Sequence, residues 1–581
     1  MRPSSRKWLA ALLSLGLLVA AGAQVGPLDA LRKKHQLIMP PLPETVRPSM
    51  FLSPLLALGR APLVDYLWLR ATQLKEEGRF FDAYQLSEMI CELQPKFASV
   101  WAFQGWNMSY NISVTLKSPE ERWRWVKNGY ELIRDRGIPL NPNNTQLYRE
   151  LAWILFHKVG DFMDEWHSYY KLQFALQMED ILGPVPDGFV RPGQVEGDYY
   201  REYDFQTLVD APQTIEELLQ TPGVADFVAR LKTFGFDAAA DGVYLNLLTG
   251  LREGTIQVPD AKPGEEENRL AALRAFMSEP ATQEARQAIE IFWRAYRLRN
   301  EVKLDPARIV SIEKALGIRL DFRLAESHAL YWANLGMEKG IDTRTNFDVH
   351  KLNTNRIEFF CLQKMFHRGR LAMSKDAKLG EPPLLAPDIR FVPVLFDAFV
   401  RDSAQYLKEE EQKSPVSINF VSGFIGFVRS AILRYHELGM NDEAKHYFDW
   451  LKETYPDPMY AKGLDGFLYE QTKFDRDIAD IRTTTARVEA LIRRGMLQYA
   501  YGEDEEAVRY LARAKQVYDA YQKSVVSDRM KIAFTFPQIV EKLADEVGGQ
   551  MYRGSYEIIR KKLGLPPPPP EPTTKKEELG R

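Results

Sequence analysis

The sequence predicts an all-α fold: an α-α superhelix of helical hairpins, with N- and C-terminal repeat blocks joined by a less regular helical middle region. Three observations predict it. Apolar residues recur at helical spacing in paired runs separated by a glycine, strand-type alternation is scarce, and the pattern of small residues in each pair begins again after a proline.

The chain opens with MRPSSRKWLAALLSLGLLVAAGAQ, where Arg2, Arg6 and Lys7 precede an apolar run from Trp8 to Ala20 and then Ala21-Gly22-Ala23. This is the layout of a secretory signal peptide over 1–23, cleaved after Ala23. The apolar stretch also extends to Val25, so an uncleaved N-terminal anchor over 8–25 stays open as the alternative. Arg32, Lys33 and Lys34 after it balance the charges before it and give no orientation. Both readings export the body to the periplasm or cell envelope, and residues 24–60 read as a linker.

The N-terminal block covers 61–182. Within it, EGRFFDAYQLSEMICELQPKFASVWAFQGW runs from Glu77 to Trp106. One helix ends near Glu77 and another begins near Phe81, with Gly78 giving the turn its backbone freedom. Ala71 and Ala83 are small where the two helices cross, Pro95 stops the second, and Trp101 with Gly105 starts the pattern again. The next unit lengthens its connection through NISVTLK before Ser118, Pro119 and Glu121 signal a capped helix start. A third copy, TQLYRELAWILFHKVGDF, places Tyr148, Leu151 and Ala152 and then slips, putting Glu165 where the small residue belongs.

These positions resemble the tetratricopeptide repeat, whose unit of about 34 residues favours small and aromatic residues at fixed offsets before a proline. Ala71, Gly78, Phe80, Ala83 and Pro95 match it, while Arg70 stands where leucine is expected. Downstream, Gly439, Ala444, Phe448 and Pro456 match, and then Gly495, Gly502, Ala507 and Ala514. The five copies cover about a third of the chain, which also resembles exported bacterial proteins with divergent repeats. The resemblance implies stacked hairpins with a concave face.

Residues 183–280 read as an irregular, loop-rich helical insertion, with helix starts at Thr214 and Thr221 and an exposed loop over GTIQVPDAKPGEEEN. A helical middle block follows over 281–400, with Asp305 capping one helix, Gly317 ending it, and a half-repeat closing at Gly340. The segment IRFVPVLF near Ile389 is short and proline-interrupted, and reads as a connector. The C-terminal repeat block covers 401–545. Residues 546–581 are a terminal helix and a Pro-rich disordered tail, of which LGLPPPPPEPTTKKEELGR cannot pack.

Composition narrows the function. Apolar residues make up 45% and charged residues 27%, which indicates a globular body. A net charge of -3, with the lysines and arginines dispersed, offers no face for nucleic acid. The two cysteines, Cys91 and Cys361, lie far apart in apolar surroundings and read as buried thiols. The motifs of zinc proteases, P-loops, dinucleotide folds and serine hydrolases do not occur. The eight histidines are scattered, with His157 and His167 on the third hairpin and His436 and His446 on the fourth, and nothing pairs them as ligands, so no metal, cofactor or catalytic residue is assigned. Asn107 and Asn111 fit the glycosylation pattern without an assigned role.

The expected activity is that of an exported, non-catalytic scaffold binding a protein or peptide partner in a groove. Groove candidates are Trp68, Thr72, Trp106, Arg149, Trp153, Arg429 and His436. The three tryptophans lie on first helices, and burial between repeats is the competing role for them. An alternative is an envelope enzyme acting on glycan or cell-wall material. Glu326-Ser327 resembles the Glu-Ser pair of superhelical lytic transglycosylases, against a plain reading of Glu326 as a solvated helix-start residue. A second alternative is a membrane-tethered assembly factor, which holds only if the N-terminal segment is uncleaved. Partner identity and oligomeric state stay open.

Overall fold

A computed structural model describes residues 54–183, 205–259, 265–340, 349–372, 384–410, 415–477, 481–525, 531–548 and 553–568, with scattered positions between 14 and 31. The described chain is all-α, with a single pair of three-residue strands. In chain order the helices are α1 Pro54–Glu76, α2 Phe80–Leu93, α3 98–115, α4 119–140, α5 145–159, α6 His167–Leu182, α7 Phe205–Val209, α8 Ile215–Gln220, α9 Val224–Lys232, α10 Val243–Glu253, α11 Glu266–Met277 and α12 Gln283–Asn300. There follow α13 Pro306–Leu316, α14 Ala325–Lys339, α15 Val349–Arg368, α16 Phe391–Glu410, α17 Pro415–Glu437, α18 Asn441–Thr454, α19 Gly463–Asp477, α20 Ile481–Ala500, α21 Asp504–Ser524, α22 Phe536–Gly548 and α23 Arg553–Lys562. They form two compact units, Met1–Lys158 with Trp332–Glu358, and Val159–Tyr331 with Phe359–Arg581. The N-terminal leader falls largely outside the described residues, among which no helix is long and apolar enough to cross a membrane.

In the first unit, α1 and α2 pair as a hairpin. Gly78 turns the chain at φ 75°, a left-handed value that would cost any other residue roughly 1 kcal/mol. Ala71 and Ala83 are fully buried at the crossing, beside Leu74 and Ile90. The carbonyl of Pro95 then accepts the indole N–H of the buried Trp101 at 2.9 Å, which satisfies both groups inside the core. Next, α3 and α4 cross at two glycines. A β-carbon on Gly129 would sit 2.6 Å from the Gly105 carbonyl oxygen, and one on Gly105 would sit 2.5 Å from Ile133 Cδ1. Gly336 and Gly340 of the chain's later segment press in the same way on Tyr148 and Thr145 of α5.

Each of α3, α4 and α5 widens into a π turn, at Asn107–Ile112, Ile133–Gly137 and Ile154–Val159 respectively. Such turns are rare and tend to fall at functional positions, because they redirect the side chains they carry.

In the second unit, α8 to α12 enclose a core around Phe227, Tyr244, Phe276, Phe292 and Trp293. Phe227 stacks on Phe276 at 4.9 Å, and Trp293 donates its N–H to the Ala238 carbonyl at 2.7 Å. The buried Arg294 reaches the Ile181 carbonyl at 3.0 Å, a cation at the C-terminal end of α6. Asp305 caps α13 by accepting from the Ala307 N–H, and Gly317 ends it at φ 68°. Two hairpins, α17 with α18 and α20 with α21, bury Ala444, Phe448, Ala507 and Ala514 at their crossings. The second of these continues into a core shared with α22 and α23.

Several expectations are corrected. The segment 111–117 is helical through Thr115 instead of forming a lengthened connection. Ser118 does cap the next helix, accepting from the Glu121 N–H at 3.2 Å. Glu165 is exposed in the turn before α6 and takes no crossing position. The helix expected at Thr221 begins after Gly223, at Val224. Phe391 starts a 20-residue helix where a connector was expected. Pro393 is tolerated there because a first-turn residue has no intrahelical N–H bond to lose. A short antiparallel pair joins 370–372 to 384–386. The tail begins packed, since Leu563 and Leu565 lie against the C-terminal core; 569–581 lie outside the described residues.

Candidate functional site

The first unit brings three of the predicted groove residues into one line of rings. Trp68 of α1 packs on Phe97 at 6.0 Å and edge-on to Phe103 at 5.1 Å. Lys75 bridges the next step, its ammonium 5.7 Å from the Phe103 centroid and 4.7 Å from that of Trp106. Trp106 stacks on Tyr110 one turn along α3, at 5.6 Å. The Tyr110 hydroxyl lies 3.2 Å from His157 Nδ1, and His157 stacks on Trp153 at 5.0 Å and 11°. Lys158 sits 5.4 Å from the Tyr110 centroid. Such ring and cation contacts are each worth on the order of 1 kcal/mol and fix the faces that remain.

Trp68, Trp106 and Trp153 are all half-buried, so each packs against its neighbours and keeps part of its ring in solvent. Two π turns aim the centre of the line, Tyr110 from one and His157 with Lys158 from the other. Burial pushes the Tyr110 hydroxyl above its ordinary range, with Glu150 adding to the effect, so it stays protonated at neutral pH. The other two candidates here are occupied locally. Thr72 donates to the Trp68 carbonyl at 3.0 Å, and Arg149 pairs with Glu150.

Arg429 and His436 belong to the second unit and support its hairpin. Arg429 donates to the Tyr460 hydroxyl at 2.8 Å and pairs with Asp457 at 3.4 Å. His436 Nδ1 lies 3.2 Å from the Asn441 side-chain oxygen at the start of α18.

The second unit also holds a charge cluster that sequence reasoning missed. Asp161 accepts from Lys364 at 2.9 Å and lies 3.4 Å from Arg368, whose guanidinium also reaches the Gly160 carbonyl at 2.7 Å and Glu326 at 3.6 Å. Lys171 donates to the Asp161 carbonyl at 2.7 Å and stands 3.0 Å from His167 Nδ1. Burial pushes the Lys171 ammonium down to about 8, with Arg368 adding repulsion. Burial likewise lowers His167, reinforced by Lys171 and Arg368. For Asp161, burial works to raise the carboxyl, but the Lys364 and Phe162 hydrogen bonds outweigh it and the group is held low. Glu326 is raised by burial against the pull of Arg368 and Lys171.

The reading of Glu326 as a solvated helix-start residue is therefore corrected: it is 5% exposed and faces Arg368. Ser327 donates to the Asp321 carbonyl at 2.6 Å and is fully buried. Both side chains of the pair are thus buried. Among the described residues, no three His, Cys, Asp or Glu side chains converge to hold a metal ion. Cys91 and Cys361 are both buried and form no disulfide, and burial pushes the Cys91 thiol up to about 12.

Comparison with known protein families and with characterised proteins finds no match to this chain.

Proposed function

We propose that the protein is an exported, non-catalytic helical-repeat scaffold that holds a protein or peptide partner against the aromatic line of its first unit. The observation that carries this reading is the continuous run from Trp68 to Trp153, whose rings are held by one another and stay half-exposed. Rigid, partly exposed aromatic rings give large contact area at low entropic cost, which is why they anchor protein interfaces. Support for a tetratricopeptide-like array comes from the hairpins whose alanines, Ala71, Ala83, Ala444 and Ala507, are fully buried at the expected offsets. Arrays of this kind serve as binding platforms, so this step is an analogy at the level of the fold. Export rests on the leader pattern alone.

Site-specific photo-crosslinking in the native envelope tests the reading. A photoreactive residue placed at Trp106 or at Trp153 is expected to capture the same discrete partner, and one at the exposed Val508 of the second unit is not. Absence of any adduct at both tryptophan positions in folded protein rejects it. N-terminal sequencing of the mature chain addresses the tether, since a start at Gln24 removes it.

A further inference from the structure

We infer that Arg494 of α20 and Tyr510 of α21, in the second unit, form a site for a small oxyanion, a carboxylate or a phosphate. The hairpin brings the two residues to one place. A β-carbon on Gly495 would sit 3.0 Å from Leu511 Cγ and 3.1 Å from the Ala507 carbonyl oxygen, so the turn of α20 that carries Arg494 lies against the turn of α21 that carries Tyr510. The end of α17 joins them, since Leu438 packs in the same core as Ile492 and Tyr510.

The cation is unmatched. Arg494 is half-buried, and among the described residues it makes no hydrogen bond and no ion pair, whereas its neighbour Arg493 pairs with Glu546. Burial lowers the Arg494 guanidinium and Arg434 adds repulsion, while Tyr510 and Glu437 pull the other way. Glu437 is already hydrogen-bonded to Arg434 at 2.8 Å, so two guanidinium groups share one carboxylate. Arginine cannot shed its proton to relieve this, and only an anion can meet the remaining charge.

Tyr510 supplies a second, independent observation. Its side chain is fully buried, yet its hydroxyl has no hydrogen-bond partner among the described residues. Burial pushes the phenol up to about 12 against the pull of Arg434 and Arg494, so it keeps its proton at neutral pH and can donate it. Glu506, one turn earlier on α21, acts on Tyr510 but has no part among the charges that act on Arg494. A water molecule would satisfy the hydroxyl and leave the guanidinium charge unmet. An oxyanion answers both, its oxygens taking the planar guanidinium fork and the phenolic O–H together.

Hydrogen-exchange mass spectrometry on the full chain tests this, in sodium chloride, sodium phosphate and sodium acetate at one pH and one ionic strength. Exchange in peptides covering 491–511 is expected to slow at least threefold in phosphate or in acetate relative to chloride, with peptides of α1 and α2 unchanged. The anion with the larger effect identifies the ligand's headgroup. Arg494→Gln is expected to remove the effect and Tyr510→Phe to weaken it at least twofold, while Arg493→Gln keeps it. Should Arg494→Gln fail to fold, Tyr510→Phe against Arg493→Gln carries the comparison. The inference is overturned if neither anion slows exchange in the parent, if the peptides of α1 and α2 slow equally, or if the folded Arg494→Gln or Tyr510→Phe variant responds as the parent does.

Discussion

The hydroxyl of Tyr110 lies 3.2 Å from Nδ1 of His157, and each residue stands on a π turn of a different helix. This contact joins the stacked pair of α3 to the stacked pair of α5 and makes one surface of them. Tyr110→Phe keeps the ring and removes the hydroxyl. It is expected to cost about 1 kcal/mol in urea unfolding, the net worth of a partly buried hydrogen bond. A cost near zero would mean that the two helices are held by packing alone.

Gly129 meets Ser109 Oγ at 2.2 Å and the Gly105 carbonyl at 2.6 Å once a β-carbon is added. The backbone oxygen cannot step aside as a side chain can. Gly129→Ala is therefore expected to destabilise by about 1–3 kcal/mol, and Ser109→Ala is not expected to rescue it. Thermal unfolding of the single and double variants measures both, and full rescue by Ser109→Ala would contradict the close backbone approach.

Lys171 faces His167, Asp161, Glu326, Lys364 and Arg368, and holds its proton only up to about pH 8, against 10.5 for an ordinary lysine. The folded state thus binds fewer protons than the unfolded state between those values. Stability from this group rises as pH climbs from 8 to 10.5 and is lost as pH falls through 8. The difference is about 3 kcal/mol. Lys171→Met is expected to raise stability at pH 7 and to flatten the profile between pH 8 and 10.5, as read by denaturation at a series of pH values. An unchanged slope would place the lysine in solvent.

Cys91 and Cys361 are buried thiols outside any disulfide. With its thiol at about 12, Cys91 carries almost no thiolate at pH 8. Mass spectrometry after N-ethylmaleimide treatment is expected to show neither cysteine modified in the native protein and both modified in urea. Rapid native labelling of either would show that its packing opens locally.

The hairpins were legible because two signals agree there. A helical apolar period and small residues at fixed offsets specify both the helices and their crossings, as at Ala71 with Ala83 and Ala507 with Gly495. The π turns were not legible, since six residues are too few for a change of period to show. Pro393 misled because proline disrupts a helix interior yet is harmless in a first turn. At the candidate surface, Trp106 and Trp153 stood out by residue type, whereas Tyr110 and His157 gain meaning only from each other. Asp161 and Lys364 are 203 positions apart, and no local pattern announces such a pair.

Each wide turn between Trp106 and Val159 carries one residue more than a regular coil needs for the same rise. A chain shortened by that residue would still make helices of the same reach, and the coil past the deletion would keep its course, but the side chains inside the closed-up turn would be re-aimed. Tyr110 and His157, which stand inside two of these turns, would then lose their shared direction. Their meeting is thus set by how many residues the chain spends getting there, a quantity that side-chain substitution cannot supply.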